Sequence, residues 1–162
     1  DGFAVKAAQQ TYVGKHIILA TGSSAVVPPI PGVAENLGTF VLTNREILDL
    51  TTIPAKLTVI GGGVIGLEMA AYYATVGSQV TVVEMLDHIA GATDRELSKM
   101  LQKDMEKKGI TFLLGHACEK VEKGSVYVKA PDGQQKVIEA EAEAEAAAAK
   151  AKEETLFSQQ AS

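Results

Sequence analysis

The sequence is poor in the residues that support thiol, metal and aromatic chemistry. It has no tryptophan, one cysteine, three histidines and an aromatic content of 5%. The single cysteine, Cys118, excludes an intramolecular disulfide and any CxxC redox or zinc motif. The histidines His16, His88 and His116 have no Cys, His or carboxylate partner at ligand spacing, so we predict neither a metal site nor a catalytic residue.

Positive charge is also scarce. The chain has 15 Lys and Arg against 20 Asp and Glu, a net charge of −5, which disfavours a nucleic acid or an anionic membrane as partner. No apolar run reaches the roughly 18 residues of a membrane span, and the N-terminus lacks the pattern of a signal peptide. The chain begins without Met and in the middle of a pattern, as a fragment of a longer protein would. We expect the protein in the cytoplasm or the mitochondrial matrix.

The composition divides the 162 residues into three regions. In residues 1–31 we predict two strands, in "FAVKA" and "HIILATGS", separated by the turn-like "QTYVGK". The Pro-rich "AVVPPIPG" that follows predicts a stiff connector. Residues 32–140 have the composition of a globular domain. Residues 141–162 open with the low-complexity "EAEAEAAAAKAK". Its Ala, Glu and Lys favour a helical tail, although the strict alternation also allows a strand.

The central region alternates strands and helices. Apolar runs at 57–60, 79–84 and 110–115 predict buried strands. Helices are predicted over 64–76 and from Thr93 or Asp94 to Lys108, and a short helix is predicted in "LTNREILDL". The apolar stripe predicted for the second long helix consists of Leu97, Met100, Leu101 and Met105. This β-α-β-α-β order implies a parallel, right-handed unit of an α/β fold. The segments that follow, with the hairpin signal Asp132-Gly133, predict a small antiparallel β-meander.

A glycine motif lies between the first of these strands and its helix. Gly61, Gly63 and Gly66 fit G-x-G-x-x-G, the pattern of a Rossmann-like sheet that binds a dinucleotide. The first glycine permits a tight turn, the second lets the backbone approach a pyrophosphate, and the third lets the helix pack on the strand. The predicted phosphate-binding residues are Gly61, Gly62, Gly63, Val64, Ile65 and Gly66.

Two carboxylates complete the predicted site. Glu84 ends the second strand, 18 positions after Gly66, where a carboxylate can accept from both ribose hydroxyls and repel a 2′-phosphate. Because "MLDHIAG" just beyond it contains no Arg or Lys, NAD is favoured over NADP. Glu68 either faces the nicotinamide end or is a partly exposed helical glutamate. FAD uses the same glycine pattern and is the rival ligand.

Three segments in this order are those of a known family: "HIILATGSSAVVPPIPG", "KLTVIGGGVIGLEMA" and "GSQVTVVE". From about residue 1 to 140 the chain resembles the pyridine nucleotide–disulfide oxidoreductases, most closely their dihydrolipoamide dehydrogenase branch. The resemblance implies an NAD domain inserted into an FAD domain, with a dimerisation domain beyond. Residues 32–140 would be the NAD domain, and residues 1–31 would be a remnant of the FAD domain. The implied reaction passes hydride between NAD and FAD and couples it to a dithiol/disulfide.

The resemblance also implies roles for single residues. Residues Gly61 to Glu68, together with Glu84, would bind NAD, and Cys118 would contact the adenine side through its backbone. Thr21, Gly22 and Ser23 would lie near FAD in the longer enzyme. The chain departs from the family because it has no flavin glycine fingerprint and no Cys-x4-Cys pair, so alone it is not expected to catalyse the reaction.

Two other functions fit the sequence. One is a complete regulatory module that senses NADH without catalysis. The other is a structural scaffold whose Ala/Glu tail mediates association.

Overall fold

The computed structural model describes residues 2–145, the last three as backbone only. The chain divides into two compact units after Ser24, and we call residues 2–24 the hairpin unit and residues 25–145 the sheet unit. Sequence analysis set the boundary after Pro31. The carbonyl of Pro31 accepts a hydrogen bond from the Val121 N–H (2.9 Å), so the end of the Pro-rich connector packs within the sheet unit. The assignment of residues 1–31 to an FAD domain stays a prediction.

The hairpin unit contains two short strands. β1 (Phe3–Ala7) and β2 (Gln10–Gly14) pair antiparallel. β1 lies where a strand was predicted, whereas the turn predicted in "QTYVGK" is wrong, because most of that segment is β2. The strand predicted in "HIILATGS" is wrong, because residues 17–24 form no regular structure. Ile18 is 91% exposed and Leu19 84% exposed. An apolar strand needs a hydrogen-bonding neighbour and a covering layer, and the described part of the hairpin unit supplies neither to this segment.

The sheet unit is built on five parallel strands in the spatial order β3-β10-β4-β5-β6. Their bounds are Val41–Leu42 (β3), Lys56–Ile60 (β4), Gln79–Glu84 (β5), Thr111–Leu114 (β6) and Ala142–Glu145 (β10). Helix α2 (Val64–Thr75) joins β4 to β5, and α3 (Arg95–Lys107) joins β5 to β6. The predicted parallel β-α-β-α-β unit is therefore confirmed.

The last strand corrects the prediction for the Ala/Glu segment. A helix was predicted from residue 141, but Ala142–Glu145 form β10, which inserts between β3 and β4. Here tertiary pairing overrides local propensity, because hydrogen bonding to two neighbouring strands replaces the hydrogen bonds of an exposed helix. Glu141 leads into the strand, its N–H bonded to the Lys56 carbonyl and its carboxylate to the Ala55 N–H. The rest of the predicted helical tail lies outside the described residues.

Helix α3 packs differently from its prediction. Asp94 caps it as expected, its carboxylate accepting from the N–H groups of Glu96 and Leu97. The predicted apolar stripe is wrong for three of its four members: only Met105 is buried, and exposed are Leu97, Met100 and Leu101. The buried face instead contains Ser98, whose hydroxyl donates to the Ile89 carbonyl at 2.7 Å. The buried face of α3 therefore includes a small hydroxyl side chain where a larger apolar one was predicted.

The two faces of the sheet carry different layers. On one face, α2 and Met105 of α3 pack on β4 and β5 in an aliphatic core. On the other face lie α1 (Val33–Asn36) and the antiparallel meander of β7 (Ala117–Glu122), β8 (Ser125–Lys129) and β9 (Gln135–Glu139). Asp132-Gly133 lies between β8 and β9, which confirms the predicted hairpin. A short 3-10 helix (Glu46–Asp49) precedes β4, close to where a short helix was predicted.

Candidate dinucleotide-binding site

A tight glycine turn lies at the carboxyl edge of the sheet. Gly61 follows β4 with φ +101°, a left-handed value that favours glycine, and its N–H donates to the Val83 carbonyl at 2.8 Å. Gly63 is the N-cap of α2, and no side chain caps this end of the helix. The chain thus leaves the strand, turns within three residues and enters the helix, so that the helix N-terminus faces outward at the sheet edge.

The turn leaves room and hydrogen-bond donors for a ligand. A Cβ atom added to Gly63 would meet no atom within 4 Å. Leu67 donates to the Gly63 carbonyl (3.0 Å) in the first turn of α2, and the N–H groups that precede it at a helix start have no intrahelical acceptor. Gly66 is buried where α2 packs on the sheet. Backbone amides and the positive end of the helix dipole therefore point into open space beside Gly63.

Glu84 lies directly against this turn. It is the last residue of β5 and is half-buried. Its Oε2 accepts from the Gly62 N–H at 2.6 Å, and its Oε1 accepts from the Leu86 N–H at 2.7 Å. An ionised carboxylate has about four lone-pair sites, so each oxygen can accept a further hydrogen bond. Two backbone donors thus fix the carboxylate while leaving it able to bind a diol.

Three backbone contacts that sequence reasoning missed hold this arrangement together. The Ala90 N–H donates to the Gly62 carbonyl (2.8 Å), the His116 N–H to the Glu84 carbonyl (3.0 Å), and the Gly115 N–H to the Leu86 carbonyl (2.9 Å). The loop after β5 is therefore tied to the glycine turn, and the loop after β6 is tied to the end of β5 and to Leu86 just beyond it. Backbone contacts carry no residue-type signature, and only the rule that the carboxyl ends of parallel strands share one edge could have indicated them.

A charged cluster follows Glu84 in the loop between β5 and α3. Asp87 Oδ1 accepts from Arg95 Nη1 at 2.8 Å and lies 2.9 Å from His88 Nδ1. His88 Nε2 lies 2.9 Å from the Gly91 carbonyl oxygen. The hydrogen bonds from His88 and Arg95 lower the pKa of the Asp87 carboxyl below its ordinary value. Sequence analysis considered only the loop itself and missed Arg95, which reaches back from the first turn of α3.

The other predicted site residues lie outside the glycine turn itself. Glu68 is exposed on α2, one turn beyond Gly63. Cys118 is partly buried in β7 and packs against the core between sheet and meander. Thr21, Gly22 and Ser23 belong to the hairpin unit, where all three are exposed. Their roles in ligand binding stay predictions.

Between residues 2 and 145, no three His, Cys, Asp or Glu side chains converge in a way that could hold a metal ion. Within the same residues, no helix combines the length and apolar character that crossing a bilayer requires.

The fold and the edge geometry together define a class. A parallel sheet with a glycine turn entering a helix, and an acid at the end of the next strand, is a Rossmann-type nucleotide-binding domain. Residues 3–160 match the family model described as pyridine nucleotide-disulphide oxidoreductase. The chain therefore belongs to the pyridine nucleotide–disulfide oxidoreductases, which confirms the resemblance found in the sequence.

Individual relatives agree with the family. The chain is 38% identical over 149 residues to a dihydrolipoyl dehydrogenase of Acholeplasma laidlawii, covering 87% of the chain and 44% of that protein. It is 42% identical over 134 residues to a dihydrolipoamide dehydrogenase of Chaetomium thermophilum, covering 79% of the chain and 26% of that protein. The chain thus spans less than half of either relative.

A solved structure supports the same family. The HOCl-induced flavoprotein disulfide reductase RclA of Escherichia coli, as a Cu(II) complex, superposes with a TM-score of 0.70 at 26% identity. The alignment covers 89% of the chain and 32% of the reductase. The chain is thus related to part of a flavoprotein oxidoreductase.

Proposed function

We propose that this chain is the NAD(H)-binding domain of a dihydrolipoamide dehydrogenase-like flavoenzyme. The observation that carries the proposal is the pair of hydrogen bonds that fixes the Glu84 carboxylate beside the glycine turn, on Gly62 N–H and Leu86 N–H. A pyrophosphate at the amides from Gly63 to Ile65 would leave the adenosine ribose within reach of this carboxylate. The family and the named relatives supply the reaction class.

The residues present fit a dinucleotide with an unphosphorylated ribose. The open space at Gly63 admits the pyrophosphate, and the helix N-terminus complements its negative charge. Glu84 would accept from the ribose hydroxyls and would repel a 2′-phosphate. The nicotinamide supplies hydride when NADH is bound. The protein's part here is to hold the dinucleotide and select its ribose, and Glu68, exposed one turn along α2, would face the nicotinamide end.

The remaining proposals concern the longer enzyme. Thr21, Gly22 and Ser23 would contact FAD there, and Cys118 would contact the adenine side of NAD through its backbone. One thiol cannot form an intramolecular disulfide, so Cys118 alone cannot supply the dithiol relay. The FAD and dimerisation domains are the proposed partners, and the chain alone would bind the dinucleotide without completing the reaction.

Titration of the full chain with NADH, NADPH and ADP-ribose tests the proposal. The wild-type chain should bind NADH and ADP-ribose and prefer NADH to NADPH. Glu84→Gln should weaken NADH binding by roughly tenfold, because a charge-assisted hydrogen bond is lost, and should narrow the preference over NADPH. Glu106→Gln, an exposed position near the end of α3, is the matched control and should change neither quantity. Absence of binding to both NADH and ADP-ribose by folded protein, or a preference for FAD, would contradict the proposal.

A second variant separates the two ends of the ligand. Glu68→Ala should alter NADH binding and leave ADP-ribose affinity largely intact, because ADP-ribose lacks the nicotinamide. Equal losses for both ligands would place Glu68 near the phosphates instead.

A further inference from the structure

The ion pair between Asp87 and Arg95 belongs to the loop that follows Glu84, the carboxylate of the proposed ribose site. Asp87 follows Glu84 by three residues, and the intervening chain is folded back by the Leu86 N–H bond to Glu84 Oε1. The same loop is tied to the glycine turn through the Ala90 N–H. Arg95 Nη1 lies 2.8 Å from Asp87 Oδ1. The guanidinium of Arg95 is therefore paired with the loop that leads away from Glu84.

Resting on the proposed function, we propose that Asp87 is a positioning residue that determines cofactor specificity by holding Arg95 away from a 2′-phosphate. Arginine is the side chain best suited to bind phosphate, since its planar guanidinium can donate two parallel hydrogen bonds. An unpaired arginine at this place would favour NADP. Paired with Asp87, it presents no net positive charge to the ribose, and the aspartate adds its own repulsion.

The ion pair between Asp87 and Arg95 is exposed, so it can be broken by substitution without a large loss of folding stability. The Arg95 side chain is 55% exposed and that of Asp87 76% exposed, and an exposed ion pair contributes little to folding stability. Removing the carboxylate should therefore free Arg95 without unfolding the protein. His88 bridges Asp87 and the Gly91 carbonyl, so the loop keeps one anchor when the carboxylate is removed.

The test compares the ratio of NADPH to NADH affinity in variants of the full chain. Asp87→Asn should raise this ratio by about three- to tenfold, as expected for an arginine that gains one charged hydrogen bond to phosphate. The gain should be larger in a Glu84→Gln background, where less negative charge opposes the phosphate. Adding Arg95→Gln to Asp87→Asn should return the ratio close to the wild-type value, and this reversal is a result that a merely structural role would not produce.

The matched control is Asp104→Asn. Asp104 is also an exposed, ion-paired aspartate, held by Lys107 near the other end of α3. Its replacement removes the same charge and should leave the ratio unchanged. An unchanged ratio in Asp87→Asn, or a gain that survives Arg95→Gln, would overturn the inference while leaving the proposed function intact. Failure of the wild-type chain to bind NADH would overturn both.

Discussion

The hairpin unit and the sheet unit use similar apolar residues with opposite outcomes. In the hairpin unit, Ile18 and Leu19 are almost fully exposed, and Val13 is exposed as well. In the sheet unit, Leu57 and Val59 of β4 are buried. The exposed segment "HIILA" is no less apolar than the buried "KLTVI", with four apolar residues of five against three. Their difference is what surrounds them, since β4 has a strand on each side and layers on both faces.

This difference shows that an apolar segment is buried only where the same unit supplies the strands beside it and the layers that cover it. A two-stranded hairpin is marginally stable by itself and needs a third strand or a covering layer. The exposed side chains of the hairpin unit fit the proposal that further domains of a flavoenzyme cover them. The sheet unit satisfies its own requirement, because its central strands are buried on both faces.

The largest expected effect comes from one substitution made in both units. Leu57→Ala should lower the free energy of unfolding by about 3 kcal/mol, because it removes buried methyl groups and leaves a cavity. Leu19→Ala should change it by less than about 0.5 kcal/mol, because the side chain is already 84% exposed. Chemical denaturation of the full chain measures both values. The comparison would break if Leu19→Ala cost as much as Leu57→Ala, since Leu19 would then be covered in solution.

A second pair of variants compares the two units at glycines with a positive φ. Gly32 has φ +87°, and an added Cβ would lie 1.8 Å from the Val121 carbonyl oxygen. Gly32→Ala should therefore destabilise the sheet unit by about 2–3 kcal/mol through strain and displacement of β7.

Gly22 provides the matched control in the hairpin unit. It has a similar φ of +79°, but an added Cβ would meet no atom within 4 Å. Gly22→Ala should cost no more than about 1 kcal/mol, the strain of the backbone alone. Equal losses for the two variants would show that φ, and not the contact with Val121, is the constraint at Gly32. Unfolding followed by circular dichroism distinguishes these outcomes.

The sequence predicted the elements whose signals are local. The apolar strands β4 and β5, the helix between them and the glycine turn all follow from residue patterns within about 30 positions. The position of Glu84 beside the turn follows from the shared edge of parallel strands. These predictions succeeded because a right-handed crossover leaves a parallel βαβ unit only one arrangement.

The errors arose where distant residues decide the structure. β10 is a strand because β3 and β4, far away in the sequence, flank it, and this outweighs the helix propensity of Ala and Glu. The buried face of α3 includes Ser98, whose hydroxyl meets the carbonyl of Ile89 in the preceding loop. Arg95 joins the candidate site through an ion pair that bridges eight positions. Periodicity within one segment contains none of this information.

The smallest expected effect concerns the acid sensitivity of the sheet unit. Before β4, the Glu46 carboxylate accepts hydrogen bonds from the hydroxyl and the N–H of Thr43. The hydroxyl contact is the larger cause that lowers the pKa of Glu46 below its ordinary value of 4.5. A carboxyl whose pKa is lowered by folding stabilises the folded state above the unfolded pKa. That contribution is lost as the pH falls through the folded pKa.

Glu46→Gln tests this linkage, because glutamine does not titrate. At pH 7 the variant should be slightly less stable than the wild type, and the difference should shrink below about pH 4.5 as the wild-type carboxyl is protonated. Denaturation midpoints at pH 7, 5 and 3 measure it. Thr43→Val removes the hydroxyl and keeps the backbone donor. This variant should therefore keep only the smaller part of the pH-dependent stability that Glu46 contributes in the wild type. A difference that stays constant across the three pH values would mean that Glu46 stabilises the sheet unit through packing, and the charged hydrogen bond would then contribute nothing to its acid sensitivity.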